Sequence, residues 1–275
     1  MLNFFSSAFF SIAIIILLVF SLIVFLFYRF QDNLIFRPYK KLERTPADID
    51  LVFKNLKIKT HDSNTVHAWY IERKNPKGVV LFCHGNAGNI SNRLDRIEIL
   101  RKNSYSILIF DYRGYGESEG KPTENGLYDD ALSCYQYMVR NLKIKPEEII
   151  LWGCSLGGSI ASYVASQKKC RFLILESSFT SLSSLANKLY PFLPVKTLLK
   201  YSFNTQKHVE SCDVPILLFH SPDDDLVPFS MGRRLFESAP GPKEFLSIKG
   251  SHNDSFYLSR FEILDSLEDF NKRFK

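Results

Sequence analysis

The residues with the most chemical content lie at Gly153-Cys-Ser155-Leu-Gly157-Gly158. An apolar run, Ile149-Ile-Leu-Trp152, comes immediately before them, and a helix-period stretch from Leu156 to Ser166 follows. Strand, sharp turn, helix is the setting in which the serine of G-x-S-x-G acts as a nucleophile. The turn strains the serine backbone, and flanking glycines remove side chains that would collide with the adjoining strand and helix. The helix N-terminus behind the serine offers N–H groups to a developing oxyanion. Ser155 is therefore the candidate nucleophile, and the matching chemistry is acyl transfer through a covalent intermediate.

A second match, Gly116-Glu-Ser118-Glu-Gly120, tests the argument. It follows Asp111-Tyr-Arg-Gly114 and runs into Pro122, so no strand immediately precedes it and no helix starts at its serine. Two glutamates beside an oxyanion oppose catalysis, and a solvated turn is expected. Its G-x-G-x-x-x-G spacing departs from the dinucleotide fingerprint, and Gly120-Lys-Pro122 lacks the hydroxyl of a phosphate loop.

A serine needs a base, and the base needs an acid to orient it. On this type of turn the chain order is Ser, then acid, then His. Of six histidines only His208, His220 and His252 follow Ser155. His252 lies in the polar loop Gly250-Ser-His-Asn-Asp254, between a strand over 245–248 and the last helix. His220 at a strand end and His208 in an insertion suit structural roles. The acid belongs in Ser221-Pro-Asp-Asp-Asp225-Leu-Val-Pro228, and local sequence leaves Asp223, Asp224 and Asp225 all open. After a strand ending at Cys83, the turn His84-Gly-Asn-Ala-Gly-Asn89 is rich in glycine and can present N–H groups to an anion. That is where a second oxyanion donor is expected. With no HExxH, no CxxC and no Cys/His ligand spacing, neither metal nor cofactor is expected.

These residues need a framework, and the apolar pattern supplies one. Segments 51–59 and 66–71 alternate like an antiparallel hairpin. Short continuous apolar runs at 78–83, 105–110, 149–152, 171–175 and 215–219 have the length of strands buried on both faces. Helix-period segments at 91–102, 126–141, 156–166, 230–238 and 257–274 lie between and after them. Alternating strands and helices imply right-handed crossovers and a mostly parallel sheet in an α/β domain. The stretch 178–209, with Leu189-Tyr-Pro-Phe-Leu-Pro-Val195, breaks the rhythm and is expected to form a small cap.

The 275 residues are 45% hydrophobic and 23% charged, which excludes wholesale disorder. From Phe4 to Tyr28 there is no charged residue, enough for a helix to span a bilayer. The expected organisation is a transmembrane anchor over 1–28, a juxtamembrane linker over 29–50 and a catalytic domain over 51–275. Arg29, Arg37, Lys40, Lys41 and Arg44 follow the span, which places the domain on the cytoplasmic side. Five cysteines, odd in number and mostly in apolar runs, read as reduced thiols. Sequons at Asn89-Ile-Ser91 and Asn253-Asp-Ser255 would invite glycans beside the site in a eukaryotic lumen. The net charge of +6 is interleaved rather than striped, so nucleic acid is not an expected partner and anionic lipid is.

Six ordered motifs make the chain resemble the α/β-hydrolase superfamily, and within it the bud-emergence-protein type of membrane-anchored alpha/beta-hydrolase domain-containing proteins. They are His84-Gly-Asn-Ala-Gly-Asn-Ile90, Phe110-Asp-Tyr-Arg-Gly-Tyr-Gly116, Gly126-Leu-Tyr-Asp129, Gly153-Cys-Ser-Leu-Gly-Gly158, Asp224-Asp-Leu-Val-Pro228 and Gly250-Ser-His-Asn-Asp254. The resemblance covers the chain from about Leu51 onward. It implies an α/β-hydrolase fold with Ser155 as nucleophile, His252 as base and Asp224, four residues before the proline, as acid. It also implies Asn86 and Leu156 as backbone oxyanion donors. Asn92, where relatives often carry histidine, and Ser221, where glycine is common before the acid, depart from the pattern.

The expected function is a single-pass membrane serine hydrolase acting on an ester or thioester, of a lipid or an acylated protein. Phe179, Leu189, Tyr190, Phe192, Leu193 and Leu198 are expected to form an apolar mouth for the acyl chain. The alternatives are a serine peptidase or amidase with the same residues, and a non-catalytic membrane binding protein on this scaffold. A complete set of Ser155, Asp224 and His252 argues against the last.

Overall fold

The computed structural model describes residues 2–274. The apolar runs become an eight-stranded sheet: β1 Lys54–Lys59, β2 Thr65–Ile71, β3 Val79–Cys83, β4 Ser106–Phe110, β5 Ile149–Cys154, β6 Phe172–Glu176, β7 Ile216–His220 and β8 Lys243–Ser247. Their spatial order is β8-β7-β6-β5-β3-β4-β2-β1. β2 pairs antiparallel with both β1 and β4, and every other pairing is parallel. The site-bearing turns therefore leave the sheet at one end, the carboxyl end of its parallel strands.

Period-two alternation explains why the inner strands are apolar throughout. Leu81, Leu108, Leu151, Leu173 and Leu218 face one buried cluster, and Val80, Ile107, Ile150, Ile174 and Leu217 face the other. The helices, in chain order, are α1 Leu2–Ile35, α2 Leu94–Lys102, α3 Glu124–Arg140, α4 Leu156–Gln167, α5 Leu182–Leu189, α6 Val195–Leu198, α7 Thr205–Glu210, α8 Phe229–Ser238, α9 Ser255–Leu258 and α10 Arg260–Arg273. α3, α4 and α8 bury Leu127, Ile160 and Leu235 on the first face. α2 and α10 bury Leu94, Ile97, Leu267 and Phe270 on the second. This is the expected α/β-hydrolase architecture. The 178–209 stretch supplies α5, α6 and α7 above the sheet.

The N-terminal helix is longer than the expected span. The apolar helix does not end at Tyr28 but runs through Arg29 to Ile35, and Phe9–Ile35 is long and apolar enough to cross a membrane. Nothing between Arg29 and Ile35 breaks a helix, since the first proline is Pro38.

Residues 29–50, expected as the juxtamembrane linker, make specific contacts with the domain. Gln31 is buried: its amide donates to the Leu198 carbonyl at 3.1 Å and accepts from Lys200 N–H at 2.8 Å. Phe36 packs edge-on to Tyr201 and Phe203. Arg37 and Pro38 pair in parallel with Ala87 and Gly88, on the turn after β3. Asn89 donates to the carbonyls of Tyr39 and Lys41 at 2.9 and 2.8 Å. The end of the apolar helix and the residues after it are thus bonded to the cap and to the turn after β3.

Replacing Gln31 tests this junction. Gln31→Leu removes the side-chain partner of the part-buried backbone groups of Leu198 and Lys200, so it should cost about 1 kcal/mol. Urea unfolding of the detergent-solubilised chain measures the loss, and an unchanged midpoint would mean that the junction is not held this way.

Candidate active site

Ser155 lies between β5 and α4 at φ 54° and ψ −118°, a conformation that costs a non-glycine residue about 1–3 kcal/mol. Two hydrogen bonds hold it there. Its N–H donates to the Glu176 carbonyl at 2.8 Å, and its own carbonyl accepts from Gly158 N–H at 2.9 Å. The glycines are demanded by close approach. A Cβ on Gly157 would stand 2.0 Å from the Cys83 carbonyl oxygen, and one on Gly153 would stand 2.2 Å from that of Gly157.

Three polar side chains from distant parts of the chain meet here. Ser155 Oγ is 3.1 Å from His252 Nε2. His252 Nδ1 lies 2.8 and 3.0 Å from the two Asp224 carboxylate oxygens. The structure separates the three aspartates that the sequence left open. Asp224 turns inward with its carboxylate fully buried, and it accepts the N–H groups of Leu226 and Val227 at 3.0 and 2.7 Å. Burial alone would raise its pKa. The hydrogen bond and charge of His252, with those two N–H groups, outweigh burial and hold the carboxyl below its ordinary value. Asp223 is exposed. Asp225 is exposed too, but accepts His252 N–H at 3.0 Å and so fixes the histidine loop.

Leu156 N–H opens α4, and Asn86 N–H lies on the turn after β3. Neither amide donates to a protein acceptor among the described residues. Asn86 is held on three sides. Its side chain donates to the Ile35 carbonyl at 3.1 Å, and its carbonyl accepts from Arg37 N–H at 3.2 Å and the Tyr115 hydroxyl at 2.8 Å. The neighbouring His84 ring is buried against Tyr112 and Tyr115. Burial pushes its pKa down to about 3, so it stays neutral beside the turn.

Ser118 is not the solvated turn residue expected from its flanking glutamates. It is buried, its hydroxyl donating to the Asp111 carbonyl at 2.6 Å and accepting from His67 N–H at 2.8 Å. The hydroxyl ties the turn to the ends of β2 and β4. Asn89 is buried as well, which closes the first sequon, while Asn253 is exposed. The two departures from the family pattern have local partners. Asn92 Oδ1 accepts Asn89 N–H at 3.0 Å, and Ser221 Oγ accepts Asp223 N–H at 3.1 Å.

Two cavities flank the Ser155–Asn86 region. One of about 250 Å³ is lined by Ser155, His252, Arg37, Arg93, Arg96 and Tyr257. The other, about 220 Å³, is lined largely by apolar residues of α1, α5 and the loops around them, among them Phe27, Leu34, Leu185 and Leu189. Asn86, Arg37 and Leu226 line both. Of the six residues expected at an apolar mouth, Phe179, Leu189 and Tyr190 line the second cavity, and Phe192, Leu193 and Leu198 do not. The sequence reading missed the arginines, whose only signal was their position around the glycine-rich turn. It also missed α1 as a cavity wall, because an apolar span reads as membrane and nothing else.

A model of the alpha/beta hydrolase fold matches residues 78–196. An uncharacterized protein of Mycobacterium tuberculosis is 31% identical over 94% of this chain and 93% of its own length. An uncharacterized membrane protein of Saccharomyces cerevisiae is 32% identical over 88% of this chain and 89% of that protein. Alpha/beta hydrolase domain-containing protein WAV2 of Arabidopsis thaliana is 30% identical over 72% of each. Among solved structures, an esterase of Pyrococcus furiosus superposes with a TM-score of 0.72 at 21% identity, covering 87% of this chain and 98% of that one.

The carboxylate geometry orders the aspartates. Asp224→Asn should lower kcat on a short p-nitrophenyl ester by about 10⁴, through loss of the tautomer that points Nε2 at Ser155. Asp225→Ala, which removes one hydrogen bond to the loop, should cost about tenfold. Asp223→Asn should fall within about twofold of the parent chain, as an exposed substitution does. A ranking led by Asp223 or Asp225 would reassign the acid.

Proposed function

This chain belongs to the alpha/beta hydrolase family, and we propose that within it the protein is a membrane-anchored serine hydrolase of carboxylic esters or thioesters. The observation that carries the reading is Ser155 Oγ, on a strained turn, 3.1 Å from a histidine nitrogen whose ring is gripped on its other side by a buried carboxylate.

The steps follow from that geometry. His252 Nε2 takes the Ser155 proton as Oγ bonds to the acyl carbon. Asp224 accepts from Nδ1–H, which fixes the tautomer and stabilises the imidazolium. The carbonyl oxygen gains charge facing the N–H groups of Asn86 and Leu156. His252 then returns the proton to the leaving oxygen or sulfur as the acyl–heteroatom bond breaks. Water, deprotonated by His252, attacks the acyl-enzyme, releases the carboxylic acid and restores Ser155. The similarity to a solved esterase accords with an ester substrate, and the largely apolar lining of the second cavity with an acyl chain.

Anchoring rests on the span Phe9–Ile35 and on the relative described as a membrane protein. The side chains of 9–20 are all exposed, and Phe192, two residues after the Tyr190 that packs on Phe27, is 89% exposed, apolar surface that lipid would cover. The basic residues after the span favour a cytoplasmic domain.

Two measurements test this reading. A fluorophosphonate should label the purified chain on Ser155 and lose the adduct in Ser155→Ala; an adduct on Ser118 would move the nucleophile. In intact cells, external protease should leave a C-terminal tag uncut until the membrane is permeabilised. Cleavage beforehand would reverse the orientation.

A further inference from the structure

The cavity that holds Ser155 and His252 has an unusual charge balance. Three guanidinium groups line it, Arg37, Arg93 and Arg96, and no carboxylate does. Arg96 is committed elsewhere: it is buried, paired with the Glu176 carboxylate, and stacked over the Phe256 ring at 3.8 Å. Arg37 and Arg93 have no acidic partner among the described residues. Arg93 is half-buried and donates only to main-chain carbonyls, those of Ala87 at 2.6 Å and Asn92 at 3.4 Å. Burial pushes its pKa below the ordinary arginine value, a cost that no counter-charge of the protein offsets.

Position decides which part of a substrate meets these groups. The leaving group must stand beside His252, which protonates it, and His252 lines the arginine cavity but not the apolar one. The acyl chain takes the other side, where Leu156 and the foot of α1 form the walls. The carbonyl lies where the two cavities meet, at Asn86.

We infer that the substrate is a single-chain acyl ester whose leaving group carries a phosphate, held by Arg93 and Arg37 while its acyl chain lies against α1. The inference rests on the serine hydrolase reading above and names its substrate class. In the reaction Ser155 Oγ bonds to the acyl carbon and the bond to the phosphorylated alcohol breaks. The proton that His252 took from Ser155 passes to that alcohol's oxygen, and water then frees the fatty acid. Two guanidinium groups without counter-ions favour a dianionic phosphate, which accepts several charge-assisted hydrogen bonds at once.

Competition for labelling tests it without requiring turnover. The full-length chain in detergent is treated with a fluorophosphonate in the presence of 1-octanoylglycerol 3-phosphate, 1-octanoylglycerol or glycerol 3-phosphate. The octanoyl phosphate should halve the labelling rate of Ser155 at a concentration about tenfold below that of the neutral ester, the weight of one charge-assisted hydrogen bond. Arg93→Gln should narrow that gap to less than about threefold. Equal protection by the phosphorylated and neutral esters, or a gap untouched by Arg93→Gln, would overturn the phosphate assignment. Glycerol 3-phosphate protecting as well as its octanoyl ester would overturn the two-cavity arrangement. Absence of labelling on Ser155 under every condition would instead remove the serine hydrolase reading, and the inference with it.

Discussion

Everything at the site depends on how closely α4 approaches β3. The Gly157 backbone comes so near the Cys83 carbonyl that any Cβ would collide with it. That approach places the first turn of α4 against the strand carrying the Asn86 turn, so the N–H groups of Leu156 and Asn86 belong to one small region. It also forces Ser155 into a left-handed conformation, which carries Oγ out of the β5–α4 turn toward His252. The strain is local and is held by hydrogen bonds to Glu176 and Gly158, both in elements already fixed by the sheet.

The second determinant is the splice between the apolar helix and the domain. Asn86 receives one hydrogen bond from the chain just beyond α1 and donates another to the last residue of that helix. The helix that reads as an anchor thus also sets the turn that faces the serine. In lipid, α1 would bring the apolar cavity to the bilayer surface, since Phe27 and Leu34 are at once part of the helix and part of the cavity wall. A flexible linker would separate those roles, and none is present between Ile35 and Lys41.

Charge is distributed with equal economy. One carboxylate, Asp224, is drawn inward and kept ionised by a histidine and two backbone N–H groups. Its neighbour Asp225 holds the histidine loop from outside. On the far side of His252 the excess is positive, from Arg37 and Arg93. The imidazole therefore stands between a buried carboxylate and a cavity lined by guanidinium groups.

The strands of the sheet, most of the domain's helices and the candidate serine and histidine were legible in the residue pattern alone. These follow from local physics: a period of two or of 3.6 in apolar residues, and glycines flanking one serine between a strand and a helix. Ser118 marks the limit of such reasoning. The flanking glutamates predict a solvated turn, yet its burial comes from β2 and β4 closing around it, contacts that no local pattern encodes. The same holds for the choice of Asp224 over its neighbours, which local sequence left open and only the family pattern proposed. It was the tertiary structure that turned this carboxylate inward, because inward direction is set by packing of β7 and the histidine loop. Only the tertiary structure could extend α1 to Ile35, dock Gln31 beneath the cap and gather Arg37 and Arg93 around Ser155. Each of these joins residues far apart in the chain, and distance in sequence carries no information about contact until the chain is folded.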